Sequence, residues 1–229
     1  MIANETSALI SVRFAIICVI GGNMKKLHEI NKQAALNTSK ALSKLIDKPV
    51  SVEITQAGIK KVDKLSLIIS SEEIVAGIYL PVTGDIKGAA LLIFPKETAF
   101  TMSDLLVRRK PGTTRKLTEL DESALKEVGN IICGNYFTVL SNMLQIKIIE
   151  HIPSFSFDMF GAIISHIITK FARETENAFI IEIEFIFKPV TLKGYFLLLF
   201  RMEEMKAIIR GGGSFKTRIF TNKKPNYHE

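Results

Sequence analysis

The chain has 229 residues, 47% of them hydrophobic, which is enough apolar surface for a sizeable core and excludes general disorder. Its formal charge of +7 is concentrated: residues 108–116 carry five basic side chains and no acid, and residues 210–229 carry five against Glu229 alone. The remainder is close to neutral, so the basicity marks a solvated loop and tail, with an anionic partner for the tail as the alternative, and not a nucleic-acid-binding face.

The stretch Ala8–Ile20 is apolar but interrupted by Arg13. It is shorter than the roughly 20 residues a spanning helix needs, and it lacks the basic leader of a signal peptide. Residues 1–23 therefore read as an upstream extension or an added strand. Lys25–Ile46 follows with apolar residues at helical spacing and is stopped by Asp47-Lys-Pro49. Strands are expected at Val50–Thr55, Leu65–Ser70, Ile74–Leu80 and Ala89–Phe94, with a hairpin turn at Pro81–Gly88. Lys96–Val107 reads as a helix, and the basic loop closes this half.

The second half repeats the order. A long helix begins near Leu117, with Thr118 or Asp121 as N-cap. A strand at Lys147–Ile152 stops at Pro153, and Asp158–Phe171 reads as a short helix. Strands Ala178–Phe187 and Thr191–Phe200 and a last helix, Met202–Arg210, complete it. A shift of 98 residues lays Leu27 on Leu125, Glu29 on Glu127, Asn37 on Asn135 and Ser43 on Ser141. Ile86–Phe94 (IKGAALLIF) likewise matches Leu192–Phe200 (LKGYFLLLF). The expected fold is α+β: a pseudo-twofold repeat of two halves, about 24–116 and 117–210, sharing an antiparallel sheet with two long helices on its surface. Residues 24–210 form the domain, and the basic segment 211–229, which opens with three glycines, is expected to be a disordered tail.

The two cysteines, Cys18 and Cys133, lie far apart with no metal-ligand spacing, which fits a reducing cytoplasm. The four histidines share no ligand spacing, and no phosphate-binding glycine loop or nucleophile elbow is present. What stands out is Ser123, Glu127 and Asn130 in the second long helix. Residues three or four apart share a helix face, so the acid can grip a cation on a partner while the amide holds a water by donating and accepting. Orienting a water for in-line attack on a phosphoryl group requires little more. Such pairs also occur on ordinary solvated helices. Gly129 and Gly134, each costing a helix about 1 kcal/mol, point to a close helix or a partner backbone beside this face.

The segment SALKEVGNIICGNYFTVLSNML resembles the signature of the CheC/CheX/FliY chemotaxis phosphatases: Asp or Ser, three residues, Glu, two residues, Asn, and a downstream proline, here Pro153. LPVTGDIKGAALLIF is similar to the middle of CheC proteins, so the resemblance covers roughly Met24–Arg210. The two-half layout and the short tail select the CheC subfamily. The resemblance implies hydrolysis of the aspartyl-phosphate of the response regulator CheY, with Asn130 orienting water and Glu127 pairing with a regulator lysine. Ser123 would stand at the same interface. No cofactor would belong to this chain, since Mg²⁺ would sit on the phosphorylated partner. The first half departs from the pattern: Glu29 is present, but Lys32 replaces the asparagine and Lys25 the Asp or Ser. An ammonium donates but cannot accept, so this site is degenerate for catalysis, although docking remains open to it. Phe157–Ile164 (FDMFGAII) resembles the CheC helix that contacts the receptor deamidase CheD, which nominates Asp158, with a plain helix N-cap as the alternative. The competing function is a catalytically weak adaptor that sequesters CheY or CheD.

Overall fold

The computed structural model describes residues 24–171 and 177–200. The expectations for residues 1–23, for the helix Met202–Arg210 and for the tail lie outside the described residues. The elements run α1 (Met24–Ile46), β1 (Ser51–Lys61), a 3-10 helix (Val62–Leu67), β2 (Ile74–Gly84), β3 (Gly88–Pro95) and α2 (Lys96–Leu106). They continue with α3 (Glu119–Leu144), β4 (Ile148–Glu150), β5 (Ser154–Met159), α4 (Phe160–Phe171), β6 (Asn177–Phe187) and β7 (Val190–Phe200).

In α1, Ile30, Ala34, Thr38, Leu42 and Ile46 recur every four residues and are all buried. The helix is tied to the sheet by its serines. Ser39 Oγ accepts from the Val52 N–H at 2.8 Å and Ser43 Oγ from the Val50 N–H at 2.9 Å. Asp47, in the left-handed region at φ 58, ends the helix ahead of Pro49.

All strand pairings are antiparallel, in the order β1-β6-β7-β3-β2-β4, with β5 also on β2. The order reads alike from either edge once the halves are exchanged: each half lends its first strand to the other half's flank. The two strands matched by sequence, β3 and β7, lie side by side at the centre, from Gly88 opposite Phe200 to Ile93 opposite Tyr195. Strand alternation sends Ile78, Leu92, Phe94, Ile183, Phe185 and Phe196 to one face, beneath α1, α2 and α3. Val75, Leu91, Ile93, Leu197 and Leu199 go to the other, against the 3-10 helix and α4. The expected shared antiparallel sheet with two long helices on its surface is therefore what the chain forms. Among the described residues, no helix is long and apolar enough to cross a membrane.

Three expectations need correction. Leu65–Ser70 is no strand; Leu65 and Ile69, four apart, are buried together at helical spacing around the 3-10 helix. Residues 154–159 precede α4 as a strand, because they pair with β2 from Tyr79 to Ile74. Asp158 is thus opposite Val75 in β5 and not at a helix N-terminus. The basic loop is also less free than its composition suggests, because the buried carboxylates of Asp104 and Asp121 hold it.

Candidate functional site

The N-terminus of α3 is anchored firmly. Thr118 is its N-cap, forming a capping box with Asp121, which is fully buried. Asp121 accepts from the Thr118 N–H at 2.8 Å and from the hydroxyls of Thr118 and Ser103, and it pairs with Arg109 at 2.7 Å. Asp104, also fully buried, accepts from the Thr113 N–H at 2.9 Å and the Thr114 hydroxyl at 2.6 Å, while Arg109 donates to Thr114 Oγ1 at 2.7 Å. Burial alone would raise both acids. The hydrogen bonds to Ser103, Thr118 and Arg109 outweigh it at Asp121, holding its pKa at about 2, and those from Thr114 and Thr113 keep Asp104 below its usual range. Nothing in the pattern of RRKPGTTRK distinguishes Arg109 from its neighbours; only the two buried acids flanking the loop could have signalled it.

Helix α3 turns Leu125, Val128, Gly129, Ile132, Cys133, Tyr136 and Phe137 inward. A Cβ on Gly129 would come within 2.7 Å of Ile78 Cγ2, so the helix lies on β2 closer than any other residue would allow. Ser123, Glu127, Asn130 and Gly134 follow at intervals of four, three and four along the opposite flank. Ser123 and Glu127 are exposed and Asn130 half-buried, with Asn130 Nδ2 directed at Glu127 Oε2 at 3.5 Å. The acid and the amide therefore form one exposed pair on a rigid helix. The helix carries four acids, Glu119, Asp121, Glu122 and Glu127, against Lys126 alone, a local acidity within a basic chain.

Glu29 and Lys32 are exposed on α1, which packs beside α3, and Asn31 is buried between the two helices. Asp158 is separate from this face, on the exposed strand β5, with its own Oδ1 accepting from the Met159 N–H at 2.7 Å. It lines a cleft of about 410 Å³ between β5 and α4 with Tyr79, Ser156, Ile163 and His166.

One residue beside the site escaped the sequence reading. Glu150, on β4, points with Ile148 toward α3, and both its oxygens lie 3.8 Å from where a Cβ of Gly134 would be. Burial raises its pKa, and its charge adds to the burial that raises the Cys133 thiol, a free buried cysteine. Helical spacing cannot reach from one element to another, so no pattern linked Glu150 to Asn130. Among the described residues, no group of three or more His, Cys, Asp or Glu could hold a metal ion.

The model of the CheC-like family matches residues 120–153, which hold α3 from its second residue, β4 and Pro153. The chain is 28% identical over 162 residues to a Bacillus subtilis protein named CheY-P phosphatase CheC, covering 69% of this chain and 78% of that one. In three dimensions it resembles the crystal structure of Thermotoga maritima FliY with a TM-score of 0.63 at 18% identity, over 80% of this chain and 93% of that chain. A chain of the FliM–SpeE complex from H. pylori matches with a TM-score of 0.61 at 13% identity, over 82% and 92%. At these identities the two structures speak for the fold alone.

Proposed function

This chain is a relative of the CheC-like family, and on that premise we propose that it hydrolyses the aspartyl-phosphate of a CheY-type response regulator. The observation that carries the reading is the Glu127–Asn130 pair, exposed on one flank of a helix whose start is locked by Asp121 and whose middle is seated on Ile78. A phosphatase of this kind supplies position more than reactivity. Glu127 pairs with a cationic side chain of the regulator and sets the register. Asn130 then accepts one hydrogen of a water and donates to it, aiming its oxygen at phosphorus opposite the aspartyl leaving group. The water oxygen bonds to phosphorus, the bond from phosphorus to the aspartyl oxygen breaks, and inorganic phosphate and the free carboxylate leave. Charge on the phosphoryl oxygens is balanced by Mg²⁺ held by the regulator, so this chain needs no cofactor of its own. Ser123, one turn before Glu127, completes the contact face.

Asp158 would serve a different partner, the deamidase CheD, through an edge of the sheet that leaves the α3 face free. A second reading, an adaptor that sequesters CheY or CheD, is favoured by Lys32, which denies α1 the water-holding amide. The two separate in one assay: full-length protein is added at substoichiometric amounts to phosphorylated regulator with Mg²⁺. A shortened phosphoryl lifetime supports the enzyme, and a lifetime unchanged despite measurable binding supports the adaptor.

A further inference from the structure

The two glycines of α3 have different surroundings. Gly129 is explained from within, because Ile78 leaves no room for a Cβ. Gly134 is not: a Cβ there would meet only the Glu150 carboxylate at 3.8 Å, an ordinary contact, and a helix interior with Ala would be more stable by about 1 kcal/mol. Among the described residues, nothing requires the missing side chain. Gly134 lies one turn beyond Asn130 on the same flank and is half-buried, so its bare backbone is open to whatever seats over Glu127 and Asn130. At the floor of this notch is Glu150, half-buried on β4, whose carboxylate makes no hydrogen bond or ion pair among the described residues. An unpaired carboxylate taken partly out of water is costly, and a cation arriving from outside would offset that cost.

We infer that Gly134 and Glu150 form a receiving notch for a cationic side chain of the response regulator, a second anchor one helical turn beyond the water-positioning Asn130. The inference rests on the phosphatase reading and extends it by assigning where the regulator's second basic contact falls. Glu127 and Glu150 then bracket Asn130, so two ion pairs fix the regulator along the helix axis and the amide meets the phosphoryl group in one register. The acids of α3 that reach the surface, Glu119, Glu122 and Glu127, suit such a partner surface.

The test uses full-length protein and phosphorylated CheY-type regulator with Mg²⁺, reading Kd by titration and kcat and KM by phosphate release. Glu150→Gln is expected to raise Kd and KM about tenfold at low salt with kcat within twofold, and to flatten the salt dependence of binding. Gly134→Ala is expected to raise thermal stability while weakening binding severalfold, and Gly134→Gln to weaken it more than tenfold. Binding unchanged in Glu150→Gln and Gly134→Gln, beside a wild type that binds, overturns the notch alone. Loss of stability in Gly134→Ala also overturns it, because the glycine would then serve internal packing. A wild type that neither binds nor dephosphorylates the regulator removes the phosphatase reading and the notch with it.

Discussion

The Tyr136 hydroxyl donates to Asn31 Oδ1 at 3.2 Å across the buried α1–α3 interface. Asn31 stands in the first half where Gly129 stands in the second, so the halves differ in packing as well as in Lys32. Gly129 lets α3 settle on β2, whereas Asn31 faces the sister helix and must find a polar partner there. Tyr136→Phe would leave a buried amide oxygen unsatisfied, at a cost of about 1–3 kcal/mol. Urea unfolding is the measurement: the midpoint should fall with an unchanged slope, and a wild-type midpoint would refute the role given to the bond.

Gly129→Ala tests the seating of α3. Its Cβ would press on the Cγ2 methyl at the β-branch of Ile78, a fully buried strand residue with little freedom to turn away. Overpacking costs about 1–3 kcal/mol and exceeds the helix-propensity gain of about 1 kcal/mol. A net loss of stability is expected, with reduced phosphatase activity as the helix is lifted. The paired result, destabilisation here and stabilisation at Gly134, separates the two glycines.

Much of this was legible in the sequence where one element carried the whole signal. The four-residue recurrence of α1, the alternation of β6 and the matched strands β3 and β7 each specify their own burial, and the sheet follows. The Glu127–Asn130 pair was legible for the same reason, both residues lying on one helix. What stayed hidden depends on contacts between elements. Ser154–Met159 is extended because β2 offers a free edge, which local spacing beside Phe160 does not reveal. Arg109 is bound because two acids on different helices are buried beside it. Glu150 lies beside Gly134 because β4 brings it against α3.

Asp121 makes stability acid-sensitive. Its folded pKa of about 2 lies below its ordinary 3.8, so the stabilisation is complete above about pH 4 and is lost as pH falls toward 2. The difference corresponds to on the order of 2 kcal/mol, and the lowered Asp104 adds in the same direction. Stability measured by denaturant from pH 5 down to 2 should decline for the wild type. Asp121→Asn should be less stable at pH 6 and show a shallower decline. Parallel curves would contradict the assignment.

Asp158→Lys is expected to weaken CheD binding at least tenfold while leaving regulator dephosphorylation within twofold. Asp158 is exposed on β5, across the sheet edge from the α3 flank, and its bond to the Met159 N–H caps no helix. Reversing its charge therefore changes the surface and little of the fold. Isothermal titration with purified CheD provides the readout, and an unchanged affinity would remove Asp158 from that interface.

The division of labour between the two long helices gives the most demanding expectation. Asn130→Ala keeps α3, its cap and its seating, and removes only the group that can both accept from and donate to a water. Preorganised positioning accounts for most catalysis in phosphoryl transfer, so kcat should fall on the order of tenfold to a thousandfold with KM little changed. Glu127→Ala should show the opposite split, a raised KM with a smaller change in kcat, because its carboxylate grips the partner. It also removes the 3.5 Å neighbour of the amide, so some loss of kcat is expected as Asn130 loses its orientation. Glu29→Ala on α1 should alter neither by more than about twofold, since Lys32 cannot accept a hydrogen bond from water. Lys32→Asn should recover little, because Asn31 beside it is held by Tyr136 where the second half has Gly129. The four variants are compared at matched concentration on one phosphorylated regulator. Full activity in Asn130→Ala would move the reacting face away from α3 and end the water-orienting reading of this chain.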